Sequence, residues 1–515
     1  MLNTRMTNYD YLDNKRVYIF ALICILYCLF PNARPDFSTF NSNDAENYLA
    51  ISYNLYIGNG YTRSLSPEYY VPHTLWPPGM PILLMPAVMI SDGSDINWYA
   101  VKYTIILCSL CGLLLIWHFV RGVTQSKNTA DMALLLFAIN PFYWHFSRTG
   151  LAEMPVFVWC VLSLLLIHRY WGTAGVQFSQ KKAFTLGTVL GLGMMLKGSL
   201  IGIAFIPFAM IVFRYFSRQP LQYLKQAFLF CLGFFVIFAI WNIRNGFIDK
   251  TNLGFDGVSQ VQMLFKLVVE DPESRFRTIP ELIATARENI TWYAIFLIPR
   301  ELLPFLHLFE LDQLPMGSII FLLLSACIVA LAFPLNVTNL GSMVIIMPMV
   351  LMNMLMVIGG SERYWVPISL LLMLSIIVNV STNTVLIPYL HKLNRVRYKI
   401  VVLLPYVLSM LSYVHIQLSQ PYNEREDYPE FAELLMSIED YCRKEGGRNI
   451  VVKSRNNNAV QFVTGCQAPD MRPKLGFYPQ YNAAIVRIAD MAELNGKKRI
   501  ISQNDIWAFV ALEKN

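Results

Sequence analysis

Charged residues are scarce in this chain. Asp, Glu, Lys and Arg make up 15% of its 515 residues, whereas hydrophobic residues make up 55%. Because soluble domains carry about 25% charged residues, this balance excludes an ordinary soluble protein. The apolar residues lie in long blocks, such as 17–30, 154–167, 319–333 and 400–411. Blocks approaching about 20 residues can cross a bilayer as helices, so the sequence predicts a multi-pass α-helical membrane protein.

A cleavable signal sequence and an internal repeat are also missing. The first apolar block follows Lys15 and Arg16, but no small-x-small cleavage site comes after it, so we expect a retained first span. No repeat of about 20 to 50 residues is visible, which excludes a solenoid or propeller.

Cysteine shows no clear metal or disulfide pattern. Seven of the nine cysteines lie in apolar segments, where a packing role is expected. Cys108-Ser-Leu-Cys111 has the spacing of a redox or metal motif, but no second ligand pair lies nearby. Cys442 and Cys466 fall in the polar tail, and whether they pair depends on the compartment.

The net charge of +7 does not indicate a nucleic-acid partner here, because basic residues gather in short loops between apolar blocks. Cytoplasmic loops of membrane proteins carry this bias. It places the N-terminus inside and residues 31–77 outside. The more basic inside loops are 121–127, 168–182 and 214–225, and the short outside loops are 147–153 and 197–199.

Continued along the chain, this orientation predicts about 11 spans in a membrane domain, residues 1–420. Its two long outer loops are 31–77 and 244–315. The segment Asn289–Glu310 is apolar but contains charges and prolines, so we expect a helix in the outer interface or packed on the bundle.

Residues 421–515 are too polar for the membrane and are predicted to form a small extracytoplasmic α/β domain. Within it, helical spacing covers Tyr428–Arg448, and strands are expected over Asn449–Ser454 and Ile506–Ala511.

The first outer loop carries most of the candidate chemistry. Asp44 and Glu46 begin a helical stretch that Gly58 ends. Asn43 or Asp44 could simply cap this helix. Farther on, Trp76-Pro-Pro-Gly79 is typical of a chain that re-enters the membrane as a helix.

Further charges are predicted on the same outer side. Glu153 lies at the mouth of a span, and Arg148 is a plausible structural partner for it. Lys197, Arg244 and Arg363 lie in other outer segments. Each alone is typical of an interface anchor, but together with Arg148 they suit a phosphate group.

These motifs, in this order, resemble the GT-C glycosyltransferases of the protein O-mannosyltransferase and aminoarabinose-transferase type. The resemblance runs through the whole membrane part. It is carried by the acidic helix with Gly58-Asn-Gly-Tyr61, Pro77-Pro-Gly-Met-Pro81, Gly150-Leu-Ala-Glu-Met-Pro155, Leu196-Lys-Gly198, Trp241-Asn-Ile-Arg-Asn245 and Glu362-Arg-Tyr364 before Pro367.

The resemblance implies a sugar donor on a polyprenyl or dolichyl phosphate and an acidic residue in the first outer loop that activates the acceptor. Asp44 matches that residue by position. The protein O-mannosyltransferases have adjacent Asp-Glu there, whereas Ala45 separates Asp44 from Glu46 here. The acceptor therefore stays open among lipid, glycan and protein, as does the choice of carboxylate.

The sequence thus predicts an integral membrane glycosyltransferase in a bacterial inner membrane, with its active site on the extracytoplasmic side. We expect Asp44 to be the general base and Glu46 or Glu153 to assist it. The cations would contact the donor phosphate, and Tyr61, His73 and Trp76 would line the sugar or acceptor site. A divalent cation is possible. The alternative is a transporter or flippase of lipid-linked sugar, which predicts paired halves that the sequence does not show.

Overall fold

The computed structural model describes most of the helical part of the chain and the strands of the tail. The described residues are 14–29, 43–63, 72–91, 97–172, 179–214, 220–248, 259–267, 274–303, 306, 317–332, 337–356, 362–382, 403–412, 437–438, 441, 450–452, 483–487, 497–503 and 507–513.

Residues 14–412, where described, are almost entirely helical. The helices are α1 (Asn14–Leu29), α2 (Asn43–Tyr56), α3 (Gly79–Met89), α4 (Trp98–Thr124), α5 (Lys127–Ala138), α6 (Pro141–Phe146), α7 (Glu153–Ile167), α8 (Gln180–Gly191), α9 (Gly202–Arg214), α10 (Pro220–Gly246), α11 (Gln260–Phe265), α12 (Ile279–Trp292), α13 (Ile298–Leu302), α14 (Gly317–Ala332), α15 (Val337–Leu355), α16 (Val366–Thr382) and α17 (Leu403–Ser412).

Several helices are apolar enough to cross a membrane. Within the described residues, three are also long enough: Tyr99–Thr124, Glu153–Tyr170 and Tyr223–Gly246. Seven shorter apolar helices accompany them. The predicted α-helical architecture is confirmed for the described part of the chain, while the count of about 11 spans remains a prediction.

Large apolar side chains point away from the bundle along these helices. Leu107, Phe228 and Met347 are each at least 60% exposed. Among the cysteines of the apolar blocks, Cys160 is buried, whereas Cys111 and Cys327 are exposed. An apolar outer surface of this kind is suited to lipid rather than to water.

An ion pair joins three helices at the end opposite to the first outer loop. Arg16 of α1 donates through Nε and Nη2 to the two oxygens of Asp131 in α5, each at 3.0 Å. The indole N–H of Trp117 in α4 donates to the same carboxylate at 2.9 Å. The fork-shaped guanidinium fixes the orientation of such a pair.

The chain re-enters the bundle at Gly79, where the sequence predicted it. Pro77 and Pro78 precede α3, so the helix starts without losing a backbone donor. Gly79 lies against the backbone of the short 3₁₀ segment Leu192–Met195, and a Cβ at this position would stand 2.4 Å from the Met195 carbonyl oxygen. The start of α3 therefore fixes the segment that leads to Lys197.

We expect Gly79→Ala to displace the Leu192–Met195 segment, because an added Cβ has no room beside rigid backbone. The substitution should cost about 1–3 kcal/mol of stability and should shift Lys197, which follows this segment. Gly246→Ala is the matched control, since among the described residues no atom beyond its chain neighbours and the backbone of its own helix lies within 4 Å of the place that its Cβ would take. Thermal unfolding in detergent would compare the two, and equal melting temperatures would contradict the close contact.

After α12 the chain continues as a π-helical stretch, Tyr293–Leu297, and then as α13. One side of α12 is exposed, with Ile279 and Ile283 at 73% and 63%. The following residues are buried and pack against α14 and α16. This region thus has the packed form expected for Asn289–Glu310, as far as it is described.

The tail contains a four-stranded sheet of order β1-β2-β4-β3. The strands are β1 (Ile450–Val452), β2 (Ala483–Arg487), β3 (Lys497–Gln503) and β4 (Trp507–Glu513). β1 and β2 are parallel, and the other pairs are antiparallel. Both predicted strands therefore occur. Most of the predicted helix Tyr428–Arg448, together with Cys442 and Cys466, lies outside the described residues.

Candidate active site

Asp44 lies near the start of α2, and its carboxylate faces a cation that is more than 300 residues later in the chain, Arg363. The Nη2 atom of Arg363 stands 2.9 Å from Asp44 Oδ2, and each side chain is 21% exposed. Arg363 belongs to the short 3₁₀ turn Glu362–Tyr364 that precedes α16. Gly58 and Gly60, with φ of 84° and 86°, end the α2 segment in the left-handed region that favours glycine.

Tyr364 lies between two cations. Arg363 donates from Nη2 to its phenolic oxygen at 2.5 Å, and the Lys197 Nζ stands 4.7 Å from its ring centroid. Burial raises the pKa of Tyr364, and the negative charge of Asp44 adds to that rise. The hydroxyl therefore stays protonated, and its hydrogen is directed away from the Arg363 donor.

Glu153 begins α7, where a carboxylate is favoured by the helix dipole. It is 3% exposed, and its Oε1 accepts from Lys197 Nζ at 3.1 Å. Its Oε2 is buried and has no hydrogen bond within the described residues. A buried carboxylate oxygen of this kind is a ready acceptor for a hydroxyl group of a bound molecule.

These five residues form what we call the charged cluster: Asp44, Arg363, Tyr364, Lys197 and Glu153. Two carboxylates and two cations balance one another around one phenol. Burial lowers the pKa of Arg363, but the charges of Asp44 and Glu153 outweigh this and raise it overall. The cluster thus holds a fixed positive charge beside a carboxylate, as needed for proton removal next to an anionic leaving group.

Arg148 is not part of the charged cluster, contrary to the pairing suggested by sequence. Its guanidinium donates to the Ser147 hydroxyl at 2.8 Å and to the Tyr27 carbonyl at 3.2 Å, and it stacks 3.8 Å from the Trp144 ring. Glu153 pairs with Lys197 instead. Arg148 follows the short helix α6 and contacts α1 through Tyr27, and its role in phosphate binding stays a prediction.

Arg244 lies in a separate, aromatic group of contacts. Its guanidinium stands about equally close to the rings of Tyr61 and Trp241, at 5.2 and 5.0 Å. It also donates to the His73 carbonyl oxygen. Burial raises the pKa of Tyr61, and Arg244 offsets only part of that rise.

The aromatic residues of the first outer loop contact one another. The rings of His73 and Trp76 are stacked at 4.6 Å, and the backbone N–H of Trp76 donates to His73 Nε2 at 3.0 Å. The Tyr61 hydroxyl donates to the Trp76 carbonyl at 2.7 Å. Tyr48 of α2 contacts Trp76 edge-on at 5.9 Å and lies one helical turn after Asp44, so it connects this aromatic layer to the charged cluster.

Asn245 fastens the same loop to α10. Its Nδ2 donates to the Thr74 carbonyl at 3.1 Å, next to the bond from Arg244 to His73. We expect Asn245→Ala to cost about 1–3 kcal/mol, because the buried Thr74 carbonyl loses this hydrogen bond. Asn242→Ala is the control, since Asn242 is exposed and its amide bonds to Phe238 within its own helix. A denaturant titration would detect the difference, and identical midpoints would contradict the role of Asn245.

Two candidate residues were not selected from the sequence, Tyr364 and Tyr48. The motif Glu362-Arg-Tyr364 pointed to the first, but only the fold shows that it lies between the cations. Glu46 sits in α2 as expected, and its side chain lies outside the described part of the structure. Across the described residues, no three His, Cys, Asp or Glu side chains are grouped as metal ligands.

Part of the chain matches a known protein family. Residues 77–241 match the family model of dolichyl-phosphate-mannose-protein mannosyltransferases. That match includes the re-entry at Pro77, Glu153, Lys197 and Trp241. No curated protein sequence matches the chain.

Solved structures share the fold over nearly the whole length. ArnT from Cupriavidus metallidurans, bound to undecaprenyl phosphate, aligns with a TM-score of 0.60 at 12% identity, covering 97% of this chain and 98% of that one. The Archaeoglobus fulgidus oligosaccharyltransferase in its apo form aligns with a TM-score of 0.53 at 14% identity, covering 92% and 70%. The resemblance to the GT-C glycosyltransferases is thereby confirmed.

Proposed function

We propose that this chain, which shares the GT-C fold, is an integral membrane glycosyltransferase. It moves a sugar from a polyprenyl-phosphate donor to an acceptor on the extracytoplasmic face of the membrane. The observation that carries the proposal is the charged cluster, in which Asp44 and Glu153 face Arg363 and Lys197 around Tyr364. The similar ArnT structure is bound to undecaprenyl phosphate, which supports the class of donor.

In the proposed reaction, Asp44 accepts the proton of the acceptor hydroxyl. The acceptor oxygen forms a bond to the anomeric carbon of the sugar as the bond from that carbon to the phosphate oxygen breaks. The electron pair of the broken bond stays on the phosphate, and polyprenyl phosphate leaves. Asp44 faces Arg363 at 2.9 Å. The proposed base therefore lies beside the cation that would stabilise the leaving phosphate.

The leaving phosphate is stabilised by the cations of the charged cluster. Arg363 provides a rigid set of N–H donors, Lys197 a compact charge, and Tyr364 a protonated hydroxyl. Preorganised donors of this kind typically contribute about 100- to 1000-fold each to a rate. In the proposed reaction these groups compensate the charge of the leaving phosphate.

Glu153 is proposed to orient the transferred sugar. Its Oε1 is occupied by Lys197, while the buried Oε2 is available to accept from a sugar hydroxyl. Tyr48 contacts Trp76 and so connects the charged cluster to the aromatic layer of Tyr61, His73 and Trp76. This layer offers flat apolar faces to a sugar ring. Arg244 contacts Tyr61 of this layer and stays a candidate for binding the donor phosphate.

The remaining organisation follows from the orientation of the loops. We place the charged cluster and residues 421–515 on the extracytoplasmic side of a bacterial inner membrane, with residues 1–420 as the catalytic membrane domain. The exposed apolar helix faces contact membrane lipids. The tail then lies over the mouth of the site, where it would contribute to the choice of a lipid, glycan or protein acceptor.

Reconstituted liposomes would test the function. The purified protein, a radiolabelled polyprenyl-phosphate sugar and mixed lipid, glycan and peptide acceptors should produce labelled acceptor and free polyprenyl phosphate. If the protein moves the labelled lipid between leaflets and forms no labelled acceptor, it is a flippase and the proposal is wrong.

A further inference from the structure

The end of α15 is held by two side chains, those of Arg277 just before α12 and of Asn289 within α12. A helix leaves its last four carbonyl groups without intrahelical donors. Here the Asn289 amide of α12 is shared among the carbonyls of Asn353, Met354 and Met356, at 3.3, 2.9 and 2.9 Å. The guanidinium of Arg277 donates to the Leu355 carbonyl, where a cation also suits the negative end of the helix dipole.

Asn353 connects this helix end to the charged cluster. It is 7% exposed, and its Nδ2 donates to the Tyr364 carbonyl at 3.0 Å. Its own carbonyl accepts from Asn289 and, at 3.4 Å, from the Tyr293 hydroxyl. Asn353 therefore contacts Asn289 and Tyr293 through its backbone carbonyl. Through its side chain it contacts the turn Glu362–Tyr364.

A second contact runs beside the first. The Tyr293 ring, which is buried, lies 4.4 Å from the ring of Trp365, the residue after Tyr364. Tyr293 thus touches both Asn353 and the residue that follows the turn Glu362–Tyr364. The turn is held from two directions by elements that contain none of the reacting groups.

We propose that Asn353 is a positioning residue, which sets Tyr364 and Arg363 at the correct place beside Asp44 and Lys197. The inference rests on the proposed function, because its consequence is measured on sugar transfer. It assigns the segment from Arg277 to Tyr293 the role of a scaffold for the catalytic site. The carbonyl that Asn353 holds belongs to the residue whose ring lies between both cations.

The position of the turn decides the distance between Arg363 and Asp44. Arg363 can meet Asp44 at 2.9 Å only while the turn stays in its present place, and a 3₁₀ turn of three residues has few bonds of its own. Loss of the Asn353 amide leaves the Tyr364 carbonyl without this donor. A displacement of about 1 Å at a catalytic group can reduce a rate about 100-fold.

The experiment uses the full-length protein with Asn353→Ala and Asn353→Asp. The second variant keeps the shape of the side chain and replaces the donor by an acceptor. Asn379→Ala is the matched control, because the Asn379 amide is also buried and donates at 2.9 Å to the Leu331 carbonyl at the end of α14. Asn379 lies near the opposite end of α16 from the turn.

We expect both Asn353 variants to lower kcat by about 10- to 100-fold, while KM for the donor changes less than about threefold, as for lost transition-state alignment. Hydrogen exchange at the amides of residues 362–366 should accelerate in both. Asn379→Ala should lower the melting temperature comparably and leave kcat and this exchange unchanged.

Two results would overturn the inference. One is unchanged exchange at residues 362–366 in both Asn353 variants, and the other is an equal loss of kcat in Asn379→Ala. The exchange measurement does not depend on turnover. If wild-type protein transfers no sugar but the Asn353 variants still loosen residues 362–366, the proposed function fails while the structural role of Asn353 stands.

Discussion

Asp44→Asn is expected to lower sugar transfer by about 10²- to 10⁴-fold, the range typical of a lost general base. The amide has nearly the same shape as the carboxylate, but it cannot accept the acceptor proton. It also gives up the charge that faces Arg363 at 2.9 Å. The measurement is the initial rate of transfer from a polyprenyl-phosphate sugar in liposomes, with insertion checked by protease protection.

A second arginine–aspartate pair in the same chain is the control for this experiment. Asp131 is held by Arg16 at 3.0 Å, far from the charged cluster at the other end of the bundle. Asp131→Asn therefore loses the same kind of bond without touching the reaction. If Asp44→Asn retains full activity, or if Asp131→Asn is equally inactive, Asp44 is not the base.

Lys197→Met is expected to abolish transfer and also to destabilise the protein. Glu153 is 3% exposed, and removal of one partner leaves its charge buried without compensation, which typically costs about 3–5 kcal/mol. The double variant Lys197→Met with Glu153→Gln should recover most of this stability, because no unpaired charge remains. It should not recover transfer, because the phosphate has lost a cation.

Thermal unfolding and transfer rates of the four proteins in this cycle separate the two effects. The exposed pair Arg275–Glu281, at 2.6 Å with side chains 56% and 36% exposed, is the control for ion pairing as such. Arg275→Met should leave the melting temperature nearly unchanged, since solvent screens exposed pairs. A double variant as unstable as Lys197→Met would contradict the account of the Glu153 charge.

The helical framework could be predicted because it depends on local chemistry. Long apolar blocks form helices wherever lipid offers no hydrogen bonds, and α1, α7 and α14 follow the blocks closely. The end of α2 near Gly58 and the start of α3 at Gly79 also follow from properties of single residues.

The contacts within the site depended on tertiary packing and were harder to predict. Loop orientation brought Asp44, Glu153, Lys197 and Arg363 to one side, but proximity in sequence suggested Arg148 as the partner of Glu153. The partner is Lys197. Lys197 follows the segment Leu192–Met195, whose backbone packs against Gly79. The cap of α15 by Asn289 was equally invisible, because the satisfaction of a helix end by a distant side chain leaves no local pattern.

The pairing of Asp44 with Arg363 has a consequence for how the protein is made. The two residues lie near opposite ends of the described membrane part, so ribosome and insertion machinery release the first long before the second. A nascent chain that has placed α1 to α10 in the bilayer contains Asp44, the proposed base, but lacks Arg363, Tyr364 and their support from α15. On the proposed mechanism we expect such an intermediate to leave donor lipid uncleaved, so that transfer begins only when the last helices are in place.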